Sequence, residues 1–113
     1  MKLAIIGSRN FNNQERFNYK LEPYKDKVTL VISGGAEGAD TFANNWAKEN
    51  NIPIVVHLPD WSKYGKAAGA IRNRLIVNEC DELIAFWDGK SKGTKISIEM
   101  VKDQRKRYGI VYF

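Results

Sequence analysis

Residues 28–40 read Val-Thr-Leu-Val-Ile-Ser-Gly-Gly-Ala-Glu-Gly-Ala-Asp. Val28 to Ile32 is a near-continuous apolar run of strand length, the pattern of a strand covered on both faces. It ends abruptly in Ser33-Gly34-Gly35. Beyond the glycines, Ala39, Phe42, Ala43, Trp46 and Ala47 fall at helical spacing and form one apolar stripe. A buried strand, a glycine turn and an amphipathic helix make the repeating unit of a parallel α/β sheet.

The same unit recurs on both sides. Towards the N-terminus, Lys2–Ile6 reads as a strand running into Gly7-Ser8-Arg9. Asn12 is placed to cap a helix there, with Glu15 three residues on to complete a capping box. Phe17, Leu21 and Tyr24 give that helix an apolar face, and Pro23 marks its end. Towards the C-terminus, Ile54–Val56 is a third strand, 58–66 a loop, and about 67–78 a helix. Leu83–Trp87 is a fourth strand, followed by the glycine-bearing turn 88–94. A helix carrying Ile96, Met100 and Val101 precedes a closing strand at 110–113. Five mostly parallel strands alternating with four helices predict one Rossmann-like, doubly wound α/β domain over residues 1–113, with helices on both faces.

Composition fits a small soluble protein, with 43% hydrophobic and 27% charged residues in 113. One cysteine, Cys80, excludes an internal disulfide and suits a reducing compartment. No apolar run reaches membrane-spanning length, so a cytoplasmic location without a membrane partner is expected. The net charge of +5 favours an anionic partner or reflects a solvated basic face. The run Lys102, Arg105, Lys106, Arg107 reads as such a face of the last helix. His57 stands alone and Cys80 lacks a partner, so neither a metal nor a cofactor is proposed.

Three glycine-bearing turns, at Gly7, Gly34-Gly35 and Gly89–Gly93, each join a strand to a helix. In a parallel sheet they converge on one rim. Glycine admits close backbone approach, and the following helix start offers unpaired N–H groups with partial positive charge. Phosphate is the anion best matched to that arrangement; tight turns needed by any short α/β chain are the alternative. Ser33–Gly38 lacks the dinucleotide glycine order, and 89–94 lacks a lysine–hydroxyl pair in the P-loop position. Both a nicotinamide oxidoreductase and a P-loop ATPase are excluded on that ground.

Ile6-Gly7-Ser8-Arg9-Asn10-Phe11, Ser33–Asp40, Ala68-Gly69-Ala70-Ile71-Arg72-Asn73 and Gly93-Thr94, in that order, resemble the YspA/YpsA-related branch of the SLOG superfamily, found in bacteria and their phages. The resemblance covers nearly the whole chain. It implies a nucleotide or nucleotide-derived ligand at the strand ends, and suggests a homodimer or larger homo-oligomer. Distant relatives include LOG-type phosphoribohydrolases, which cleave the N-glycosidic bond of nucleoside monophosphates, and DprA, which binds single-stranded DNA.

Carried over position by position, the resemblance marks Gly7, Ser8, Arg9, Ser33, Gly34, Gly35, Arg72, Asn73, Gly93 and Thr94 as ligand-binding. Arg9 is placed to pair with a phosphate, or else to answer Asp40 or Asp88 at the surface. Asp40 stands in the first turn of its helix, where the dipole alone favours a carboxylate, and a loop-holding role outweighs a catalytic one. Asp88 belongs to the same rim. Trp61, with Tyr64, is placed to stack on a base or to pack at a helix–sheet or subunit contact. Arg72, Glu99 and Asp88 are the catalytic candidates. LOG-type enzymes place a glutamate a few residues after Gly-Thr; here the first carboxylate is Glu99, five residues past Thr94 and at the wrong helical angle. The expected function is therefore a binding module or sensor for a phosphate-bearing nucleotide, ahead of a phosphoribohydrolase-like enzyme, and that ahead of a single-strand nucleic-acid binder.

Overall fold

In a computed structural model describing residues 1–113, each glycine turn passes a strand directly into a helix. The strands are β1 (Lys2–Gly7), β2 (Leu30–Ser33), β3 (Ile54–Val56), β4 (Glu82–Trp87) and β5 (Arg107–Tyr112). The helices are α1 (Gln14–Leu21), α2 (Ala39–Glu49), α3 (Trp61–Tyr64), α4 (Ala68–Glu79) and α5 (Lys92–Asp103). The sheet runs β3-β2-β1-β4-β5 and all its pairings are parallel. No helix is long and apolar enough to cross a membrane.

Strand alternation divides the interior into two layers. Leu3, Ile5, Ile84 and Phe86 face α1 and α2, where Phe11, Phe17, Ala43 and Trp46 complete one core. Ala4, Ile6, Leu83 and Ala85 face α4 and α5, packing on Ile76, Val77, Ile98 and Val101. Both faces of β1 and β4 are therefore buried, which is why these strands read as unbroken apolar runs. The Phe86 ring lies 4.6 Å from Phe11 and 5.1 Å from Phe17, centroid to centroid.

Local details differ from the sequence reading. Asn13, not Asn12, caps α1: its side chain accepts the Arg16 N–H at 3.0 Å, so Glu15 completes no capping box. The loop 58–66 contains a helical turn, α3, whose cap Asp60 accepts the Lys63 N–H at 3.1 Å. There are thus five α-helices rather than four. β2 begins at Leu30, because Val28 and Thr29 lead into the sheet outside it, and β5 begins at Arg107. The basic run is not one helix face. Arg105 adopts φ 56° in the turn after α5, and Lys106 reaches across to the C-terminal end of α4. Its Nζ donates to the carbonyls of Val77, Asn78 and Cys80 at 2.7, 3.0 and 2.8 Å, satisfying acceptors the helix leaves over. Cys80 packs in the core as a small apolar residue.

Candidate functional site

The connections from β1 and from β4 leave for opposite faces of the sheet, since α1 and α2 cover one side and α4 and α5 the other. Between neighbouring strands whose connections diverge, a crevice opens beyond their carboxyl ends. A cleft of about 490 Å³ lies there, within the range of small-ligand sites.

The β1 turn forms its floor. A Cβ on Gly7 would stand 2.6 Å from the Phe86 carbonyl oxygen and 2.7 Å from the Ala39 Cβ, so only glycine lets β1, β4 and α2 meet. Ser8 is buried and ties two turns together. Its N–H donates to the Phe86 carbonyl at 2.9 Å, its Oγ accepts the Asp88 N–H at 3.2 Å, and the Ser91 hydroxyl lies 2.8 Å away. Asp88 Oδ1 in turn accepts the N–H groups of Lys90 and Ser91, both at 2.8 Å, and these bonds hold its carboxyl below the usual range. Asp88 shapes the loop as an Asx turn and does not line the cleft.

The β2 turn forms one wall. Gly38 has φ 77°, and a Cβ there would stand 2.6 Å from the Ser8 carbonyl oxygen. Asp40, in the first turn of α2, is only 6% exposed. Its Oδ2 accepts the Ala36 N–H at 2.9 Å and closes the turn, while its Oδ1 is buried without a partner. Burial raises the Asp40 pKa to about 6, against the lowering effects of the Ala36 N–H and the Arg72 charge.

From α4, Arg72 enters half-buried. Its Nη1 donates to the Gly34 carbonyl and its Nε to Asn73 Oδ1, each at 2.8 Å. Burial lowers its pKa while the Asp40 carboxylate opposes that fall. The Lys25–Glu22 ion pair and the His57–Glu79 contact lie elsewhere. Neither Arg72 nor Arg9 has a carboxylate within 4.0 Å, so Arg9 answers neither Asp40 nor Asp88. Asn73 Nδ2 donates to the Gly93 carbonyl at 3.5 Å, linking α4 to the opposite wall.

That wall is the start of α5. Its N-cap, Ser91, makes no side-chain capping bond, because the hydroxyl is turned to Ser8. The first-turn residues Lys92, Gly93 and Thr94 line the cleft, and the N–H groups of such a turn have no partner within the helix. A Cβ on Gly93 would meet only Asn73 Nδ2, at 3.8 Å, so the space before the helix is open. α2 likewise starts without a side-chain cap, at Gly38.

Of the residues singled out in the sequence, Gly7, Ser8, Arg9, Gly34, Asp40, Arg72, Asn73, Gly93 and Thr94 meet in this one cleft. Ser33 lies buried behind it, its Oγ accepting the Gly35 N–H at 3.4 Å, and Gly35 packs beside Leu58 and Val56. Trp61 and Tyr64 sit on α3, exposed and outside the lining; the edge of the Trp61 ring lies over Gly69 instead. Glu99 is exposed on α5 and also outside it. The cleft adds Asn10, Ala36, Ser91, Lys92 and Ser97. Ser97 carries a sequence signal: it stands four residues after Gly93, on the same helix face, and its hydroxyl donates to the Gly93 carbonyl at 3.2 Å.

Comparison with known proteins bears on the fold and the family. The chain is 39% identical over 72 residues to the Gene 61 protein of Mycobacterium phage D29, a match covering 58% of each. The chain thus spans well under two thirds of that relative. Its fold superimposes on DprA from Streptococcus pneumoniae with a TM-score of 0.81, at 18% identity, covering 96% of this chain and 49% of that one. DprA from Helicobacter pylori, described for its single-stranded DNA binding mode, gives 0.75 at 21% identity, covering 97% and 64%. The family model for YspA, cpYpsA-related SLOG proteins matches residues 1–64, which hold the β1 and β2 turns and Asp40. The chain belongs to the YspA, cpYpsA-related SLOG family.

Proposed function

We propose that the chain binds a phosphate-bearing nucleotide or nucleotide derivative in this cleft, as a sensor or binding module. One observation carries the reading: the uncapped start of α5 faces a cleft that also receives two arginines without carboxylate partners. Unpaired N–H groups and guanidinium forks are the donors that phosphate oxygens accept best. In this reading the phosphate rests on the first turn of α5, Arg72 and Arg9 supply charge, and Gly34 and Gly7 keep the floor low enough for close approach.

The test is a thermal-shift screen of nucleoside monophosphates, dinucleotides, ADP-ribose forms and cyclic nucleotides, with reaction products followed in parallel. Stabilisation without turnover supports the sensor, and Arg72→Ala lowers the affinity tenfold or more. No stabilisation by any of them refutes it.

The enzymatic reading rests on Asp40 rather than Glu99 or Asp88. Asp40 is the one carboxylate lining the cleft, and its pKa of about 6 suits an acid–base group. Release of free base would establish it. Preference for long single strands, lost steeply with added salt, would instead favour the nucleic-acid reading that the DprA likeness invites. A homodimer or larger homo-oligomer, suggested by the family resemblance, is part of the same proposal and is read by sedimentation equilibrium.

A further inference from the structure

The sheet has two edges, β3 and β5, and they are built differently. β3 is three residues long and follows Pro53, so it offers another chain little to pair with. β5 runs for six residues, and from Tyr108 to Phe113 the chain carries neither charge nor proline. Short strands, charges and prolines are the usual guards against edge pairing, and that stretch has none of them. Tyr108, Tyr112 and Phe113 stand exposed along it.

Alternation decides which groups this edge presents. The Phe113 N–H donates to the Trp87 carbonyl of β4 at 3.3 Å. Gly109, Val111 and Phe113 therefore point their backbone groups at β4, while Tyr108, Ile110 and Tyr112 point theirs outward. The same three residues carry their side chains on the α5 face of the sheet. Ile110 packs on that core, the Tyr112 ring lies 5.7 Å from Trp87, and Lys102 of α5 sits over the Tyr108 ring at 5.6 Å. The outward set thus runs Tyr-Ile-Tyr, the same in both directions about Ile110.

An edge with that symmetry is complementary to itself. We propose that β5 is a homodimer interface: β5 of a second copy pairs with it antiparallel about a two-fold axis at Ile110, making one sheet across both copies. This gives a surface to the homo-oligomer of the reading above and does not depend on the ligand. In that register Ile110 faces the partner's Ile110, and Tyr108 faces the partner's Tyr112. Each such pair exchanges two backbone hydrogen bonds, and the tyrosines meet as cross-strand aromatic pairs on one face. The two Arg107 side chains then stand about 20 Å apart along the strands, whereas a parallel copy would set them side by side. Because both copies use the same patch, the contact closes at two.

Sedimentation equilibrium of the intact chain is expected to show a monomer–dimer equilibrium that Tyr112→Pro weakens about tenfold or more. Proline there removes an N–H that points away from β4, so the fold keeps its own ladder while the dimer loses a bond from each copy. Where Tyr112→Pro does not fold, Tyr108→Lys puts a charge on the same edge without touching the backbone. Trp61→Lys, on the exposed α3, should leave dimerisation within about twofold. Amide exchange read by NMR adds a signature of its own. As concentration rises, the N–H groups of Ile110 and Tyr112 should become about tenfold or more protected, while those of Gly109 and Val111, already on β4, do not change. A wild-type dimer that withstands both β5 variants, or that Trp61→Lys abolishes, overturns the β5 assignment and leaves the homo-oligomer standing. So does protection that rises equally at all four amides or at none. A wild type that stays monomeric at every concentration overturns the homo-oligomer and the assignment together, and neither result bears on nucleotide binding.

Discussion

Replacing Asp40 by Asn should stabilise the folded chain, and by an amount that depends on pH. In the unfolded chain this carboxyl titrates near 3.8; burial in the fold raises it to about 6. Below about pH 4 it is protonated in both states and contributes no difference. Between about pH 4 and 6 the folded protein retains a proton the unfolded chain has lost, so stability falls as pH rises. Above about 6 the full penalty of the buried charge is present, about 3 kcal/mol for that displacement. The amide has no charge to bury and keeps the bond to Ala36. Urea denaturation of both proteins from pH 4 to 8 should show curves that coincide at the acid end and separate to about 3 kcal/mol at pH 8. In melting temperature the gap is about 10 °C. Parallel curves would mean that the folded chain does not hold the Asp40 carboxyl above its ordinary range, and the burial argument would go with it.

Three further outcomes check other parts of the account. Gly7→Ala places a Cβ 2.6 Å from a backbone carbonyl that cannot move without breaking the β1–β4 ladder. It should cost several kcal/mol or prevent folding, read by circular dichroism during heating. Phe86→Ala removes the ring at the centre of the Phe11–Phe17 contact and should cost about 3–5 kcal/mol in urea titrations. Glu99→Gln, on an exposed position outside the cleft, should leave ligand affinity and any turnover within about twofold, with stability changed by less than about 0.5 kcal/mol. A large loss in the Glu99 variant would restore that residue to the site.

Most of the architecture is legible in the residues because two local signals coincide at every unit. Apolar runs such as Val28–Ile32 and Leu83–Trp87 mark buried strands, and Gly7, Gly34 and Gly89 punctuate strand-to-helix turns. Where two neighbouring residues have the same chemistry, the signal fails. Asn12 and Asn13 are equally good caps in sequence, and only the path of the turn after Phe11 chooses Asn13. Lys106 misleads for a similar reason. Its charge suggests solvent, while its actual acceptors lie at the far end of α4, 26 to 29 residues earlier. Trp61 shows the limit for loops, since an aromatic near a turn carries no information about which way the turn points.

The sequence by itself determined the fold class and the rim on which a site would form, because both follow from strand-to-helix order and the fixed handedness of parallel crossovers. Only the tertiary structure decided which charged residues share the cleft, separating Asp88 as a loop tie and Glu99 as a surface group from Asp40 as the carboxylate inside. The unpartnered oxygen of Asp40 is legible in no local pattern. Whether a buried atom has a partner depends on every element packed around it, and that is settled only when α2, α4 and the β1 turn have closed upon it.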